Sequence, residues 1–215
     1  MRMLMKTIIG FIFLLINVKQ VSAQDLSTSL NEAYKTLQSA TSMTDMMDAN
    51  NKFNLIAAKW DKEWAANYYA AYVKAYISLK EKDAKRRDQL LDEANKYLEK
   101  VNNINASGDE SMILTGYVAF ARFLVDPPTR WKKYLDLMNA SLEKAKKINP
   151  ENPRIYYLEG IPVFNKPKIW GGGKNKAKPY FEKAKVLFAK EDKTSILKPY
   201  WGEKENTDYL VKCNE

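Results

Sequence analysis

Histidine is absent from the 215-residue sequence, and cysteine occurs once, at Cys213. Without histidine there is no Ser-His-Asp triad, no Cys-His dyad, no HExxH zinc site and no histidine general base. A lone cysteine forms no internal disulfide, no CxxC redox pair and no zinc ribbon. No metal site or cofactor is expected from what remains. A glycosidase-type pair of carboxylates stays available among the 26 acids. Most acids, however, alternate with lysines, as in Lys80-Glu81-Lys82-Asp83 and Glu143-Lys144, which is the pattern of solvated helix faces.

Long apolar runs are also scarce. The one that stands out, Ile8 to Val18, follows Arg2 and Lys6 and precedes Val21-Ser22-Ala23. At eleven residues it is short of the roughly 20 that span a bilayer. A basic start, an apolar stretch and small residues at the cleavage positions make residues 1–23 a signal peptide cut after Ala23. The remainder, residues 24–215, is then expected in the periplasm or outside the cell, with no stable membrane insertion. Losing Arg2, Lys6 and Lys19 lowers the formal charge from +9 to +6. The only tight basic trio is Lys85-Arg86-Arg87. A nucleic-acid partner is not expected, because its binding surface would need basic residues clustered on one face.

Beyond residue 23 apolar residues recur at intervals of three and four, the helical period. Breakers separate these stretches at Ala106-Ser107-Gly108-Asp109, Asp126-Pro127-Pro128, Asn149 to Pro153 and Trp170 to Gly173. Pro150 cannot continue the helix before it, while Asn152 can cap the next with Pro153 in its first turn. Internal repetition is the strongest signal. Ala94, Leu98, Val101 and Ile104 share their spacing with Met138, Leu142, Ala145 and Ile148, and again with Ala177, Phe181, Ala184 and Leu187. Ala49, Phe53 and Ile56 form a degenerate earlier copy. Between them Leu114-Thr115-Gly116 with Phe120 matches Leu158-Glu159-Gly160 with Phe164. The period is near 44 residues.

With Met138, Leu142, Ala145 and Pro150, and with Ala177, Phe181 and Ala184, the sequence resembles the tetratricopeptide-repeat family of exported bacterial type. The resemblance covers about residues 44–189. It implies an all-α, right-handed solenoid of stacked antiparallel helix pairs, closed by a helix beginning near Leu26 and a C-terminal cap over about 203–213. The repeat is longer than the family's usual 34 residues, and the excess is expected between paired helices, as in Asn165 to Lys176.

In that family the inner faces of the first helices line a concave groove for a protein or peptide. The resemblance therefore implies a non-enzymatic scaffold, with Tyr69, Val73, Tyr76, Tyr117 and Tyr157 as candidate groove residues. The same spacing also suits core packing, and Phe120 and Phe164 fit that alternative better. Tyrosine is ambiguous because its hydroxyl suits a half-wet surface. A second candidate is Gly171-Gly172-Gly173-Lys174, where glycines before a helix could present amides to an anion. It lacks the GxxxxGK[ST] phosphate-loop spacing, and a flexible turn within a long interhelix loop is the favoured alternative. The surrounding string is similar to loops of exported repeat proteins that accompany transporter binding proteins, so an accessory that binds a small solute is an alternative. An enzyme using carboxylates on a helical scaffold is a third.

Overall fold

The computed structural model describes residues 25–105 and 108–215, so the expected leader at 1–23 lies outside the described residues. Nine α-helices and one short 3-10 turn, with no strand, make up the regular structure of these residues. They are α1 (residues 25–39), α2 (Met43–Lys59), α3 (Trp64–Ser78), α4 (Ala84–Ile104), α5 (Asp109–Phe123), α6 (Pro127–Ile148), α7 (Pro153–Asn165), α8 (Lys174–Phe188) and α9 (Glu203–Asn214).

Local sequence sets most of the boundaries. Ser42 and Asp45 form a reciprocal capping box at the start of α2. Asp83 caps α4 by accepting from the Arg86 amide, and Asn152 caps α7 by accepting from Arg154, with Pro153 at the first helical position. The tandem Pro127-Pro128 opens α6 rather than merely separating helices. This changes where the long repeat period comes from. The α5–α6 connection is short, and the excess sits in the second helices themselves, 21 residues in α4 and 22 in α6. Only the last pair places it in a loop, between α7 and α8.

Successive pairs pack as α3 on α4, α5 on α6 and α7 on α8, and the first helices of the pairs also touch one another. The result is a two-layered helical solenoid. Outer helices bury one stripe: Leu90, Leu91, Ala94, Leu98 and Val101 in α4, and Met138, Ser141, Leu142 and Ala145 in α6. Inner helices are covered on almost every side, by the outer helices, by one another and by the chain that follows α8. Ile104 and Ile148, the last members of their ridges, are exposed because each ends its helix beyond the reach of the inner layer.

Charged groups pin the layers laterally. Lys74 of α3 is buried and donates to Asn50 of α2 and Glu93 of α4. Asp88 of α4 accepts two bonds from Arg130 of α6, at 2.7 and 2.8 Å, and a third from Arg122 of α5. Those bonds, Arg130's foremost, hold the Asp88 carboxyl down at about 2 against the opposing effect of burial. Its ordinary unfolded value is about 3.9, so the pair stabilises the fold above that pH and the contribution is lost as pH falls through about 2. Asp88→Asn is expected to lower the melting temperature at neutral pH, with the gap to the native protein closing between about pH 5 and about pH 2.

Two glycines at equivalent repeat positions admit the partner helix. A β-carbon on Gly116 would meet Leu142 at 3.4 Å, whereas one on Gly160 would meet the Phe181 ring at 2.6 Å. Gly160→Ala should therefore cost about 1–3 kcal/mol by overpacking. Gly116→Ala should stay within about 1 kcal/mol of neutral, since the helical gain of alanine offsets the tight contact. Chemical denaturation of both variants checks the pair; equal effects would mean that Phe181 yields to the added methyl.

Candidate functional site: the inner face and its strap

After α8 the chain neither ends nor forms a simple end cap. Residues 189–202 run without helix back across the inner layer, over the N-terminal ends of α7, α5 and α3, as far as α1, where Tyr200 packs edge-on against Tyr34 and meets Asn31. Trp201 then turns inward. Its indole stacks on Tyr72 at 4.8 Å, lies against Tyr117 at 4.9 Å and donates from Nε1 to the Tyr68 hydroxyl. Gly202, with φ at 100°, lets the chain reverse at once into α9 while Phe188 and Tyr157 close in around it. Helix α9 lies on α8, with Tyr209 stacked on Phe181 and edge-on to Phe164.

Arg154 fastens this strap. Its side chain is 1% exposed, at the start of α7. It donates from Nε to Glu110 at the start of α5, from both terminal nitrogens to Glu191 on the strap, and from Nη2 to the Pro199 carbonyl. Its guanidinium also faces the Trp201 ring. Desolvation works against the charge, yet Glu110 and Glu191 outweigh it and hold Arg154 above its ordinary value. Burial pushes the Glu191 carboxyl up to about 7, partly countered by Arg154 and reinforced by Glu110. Glu110 also accepts from Tyr68 and Asn152, so the N-terminal ends of the three inner helices share one polar layer.

The candidate groove residues divide accordingly. Tyr69 and Val73 are 0% exposed and belong to the core, Tyr69 lying between Tyr34 and Phe53. Tyr117 and Tyr157 do turn to the inner face, but Trp201, and for Tyr157 also Tyr209, cover them. Burial raises the phenol pKa of both. Only Tyr76 remains half-exposed. The physical reason is the strap, whose 189–202 stretch carries no helical period to reveal its course. The glycine run is different from the expected anion cradle. Gly171, Gly172 and Gly173 donate their amides to Lys168, Pro167 and Val163 carbonyls, so these groups close the turn and are not offered to a ligand.

An open groove remains beside the strap, between α9 and the C-terminal halves of α3, α5 and α7. It has two lobes that meet at Tyr76 and Glu205. One, of about 360 Å³, reaches α1 and is bounded by Leu37, Tyr72 and Tyr200. The other, of about 370 Å³, has an apolar floor of Leu79, Phe120, Leu124 and Ile161 beside Tyr157 and Tyr209. Lys80 and Lys212 stand at its rim, above the rings of Tyr76 and Tyr209, with Glu205 and Asp208 on the α9 side. Desolvation, assisted by Glu205, raises the Tyr76 phenol pKa above its ordinary value. Such a groove suits a largely apolar small molecule whose polar groups meet a rim of mixed charge.

Trp201→Ala should cost about 3–5 kcal/mol, since it empties a buried ring site and orphans the Tyr68 contact. Tyr76→Ala, at the half-open groove, should cost less than about 1 kcal/mol. Equilibrium denaturation compares the two; a Trp201→Ala protein as stable as the native one would show that the strap is not docked in solution.

No family model matches the sequence, and no curated protein does. Among solved structures the chain is similar to the HusA haemophore from Porphyromonas gingivalis, with a TM-score of 0.73 and 30% identity over 89% of this chain and 92% of that one. The tetratricopeptide likeness thus remains one of helical-repeat architecture. With that identity spread over nearly the whole of both sequences, the chain belongs to the same all-helical family as this haemophore.

Proposed function

We propose that the protein is an exported, non-enzymatic carrier that takes haem or a related tetrapyrrole as cargo in the groove beneath α9. The observation that carries this reading is the groove itself: an apolar floor beside aromatic walls, with Lys80 and Lys212 at the rim. Likeness to a haemophore supplies the ligand class. The leader expected from the sequence of residues 1–23 supports export. Lysines at the rim would meet the two carboxylates of the macrocycle, and the floor would take its apolar body.

Since the chain holds no histidine, the usual imidazole ligand to haem iron is excluded. Burial raises the phenol pKa of the nearby Tyr76 and Tyr209, which disfavours the phenolate form that would ligate iron. Ring contact and edge charge would then carry the affinity, with the metal secondary. A carboxylate enzyme finds less support, because Glu110 and Glu191, two partly buried acids that converge, are both committed to Arg154. The peptide-groove alternative also loses ground, as the chain's own strap covers most of the face that a peptide would use.

Titration with haemin, followed by its visible absorption, is expected to saturate at one ligand per chain. Iron-free protoporphyrin should bind within about tenfold of haemin, because iron ligation contributes little. Tyr76→Ala should weaken both by about 1–3 kcal/mol without lowering the melting temperature by a comparable amount. Failure of the iron-free ring to bind, or the absence of saturation with either, would refute the proposal.

A further inference from the structure

The α7–α8 loop is unlike the rest of the surface. Ile169 and Trp170 form a 3-10 turn whose side chains are 85% and 66% exposed, with nothing of the described protein packed over them. From Glu159 to Glu182 the sequence has no acid but carries Lys166, Lys168, Lys174, Lys176 and Lys178. Lys178 alone of these meets a carboxylate among the described residues, Glu182 at 3.8 Å. Exposed apolar side chains normally lower their cost by lying scattered among polar ones; an adjacent isoleucine and tryptophan at a protruding tip do not.

The tip is also held in shape. Amides of Gly171, Gly172 and Gly173 bond back to Lys168, Pro167 and Val163, and a β-carbon on Gly172 would lie 2.3 Å from the Lys166 carbonyl oxygen. The loop thus presents its two apolar side chains without further ordering cost. No helix among the described residues is long and apolar enough to cross a membrane. Any lipid contact at this tip is therefore peripheral.

We infer that this loop is a docking tip for an anionic lipid surface, with Ile169 and Trp170 entering the interfacial layer and the flanking lysines resting on the headgroups. The chemistry matches on both counts. Tryptophan favours the membrane–water interface, where its ring is apolar and its N–H is wet. Each lysine close to an anionic leaflet adds attraction that salt screens. The tip is contiguous with the groove, whose lining reaches Asn165, the residue before Lys166. A docked molecule would hold one end of the groove against the bilayer, where an apolar ligand could pass without crossing water. The inference itself needs only the tip and stands whether or not the groove binds haem.

Co-sedimentation of the full-length protein with vesicles of phosphatidylcholine, with and without phosphatidylglycerol, tests it. Binding is expected only to the vesicles that contain phosphatidylglycerol and should fall as salt is raised. Ile169→Ser with Trp170→Ser should weaken it by about tenfold or more, and Lys166→Gln with Lys168→Gln by about fivefold per lysine. Both sets of side chains are exposed, so melting temperatures should not change. Trp170→Phe should retain binding while losing tryptophan quenching by bromine-labelled lipid. No affinity for protein-free anionic vesicles would overturn the inference and point to a receptor protein at this tip. Vesicle binding that survives the serine substitutions would overturn it as well.

Discussion

The buried Arg154 guanidinium is the contact on which the rest of the molecule depends. A charge in a nearly water-free site is tolerable only when each donor is answered. Here two carboxylates and a backbone carbonyl answer them, and they come from two separate parts of the chain. Glu110 belongs to the preceding helix pair, whereas Glu191 and Pro199 belong to the strap. One side chain thus joins adjacent repeats and fixes the covering segment over both. Arg154 could not be removed alone at low cost, because Glu110 and Glu191 would stay largely buried without their counter-charge.

The strap also decides what kind of binding surface is left. In an open solenoid the aromatic faces of the inner helices would be free along their whole length. Trp201 occupies the N-terminal part of that face, stacked on Tyr72 and tilted against Tyr117, and α9 walls off one side. What remains is a bounded groove with Tyr76 at its middle, closer in scale to a small molecule than to an extended peptide.

The helix pairs were legible in the sequence because each outer helix must bury one ridge, and that requirement repeats Leu98, Leu142 and Phe181 at a readable spacing. Asn152 and Pro153 were legible for a local reason, since a cap and its proline act within one turn. The inner face was not. Whether Tyr117 and Tyr157 meet solvent depends on residues 189–202, which have no periodicity and find their place through long-range contacts such as those of Trp201 and Glu191. Arg154 carries no local signature either, as its partners lie 44 residues before it and 37 and 45 after it. The glycine run was legible as a turn, but the use of its amides depends on Val163, beyond the turn itself. Tyr76 was singled out with four others, and nothing in its neighbours distinguishes it from them.

Tyr200 meets Asn31 across 169 residues of sequence. Solenoids ordinarily behave as one-dimensional arrays, in which a terminal unit can fray while the others persist. Here the last segment returns to the first helix, so the array is closed like a belt through its buckle. Fraying of either end then opens contacts at the other, and unfolding should proceed as one event rather than repeat by repeat. The closure also sets an order of assembly. Residues 189–214 can dock only on inner helices that are already side by side, which makes completion of the groove the final step of folding.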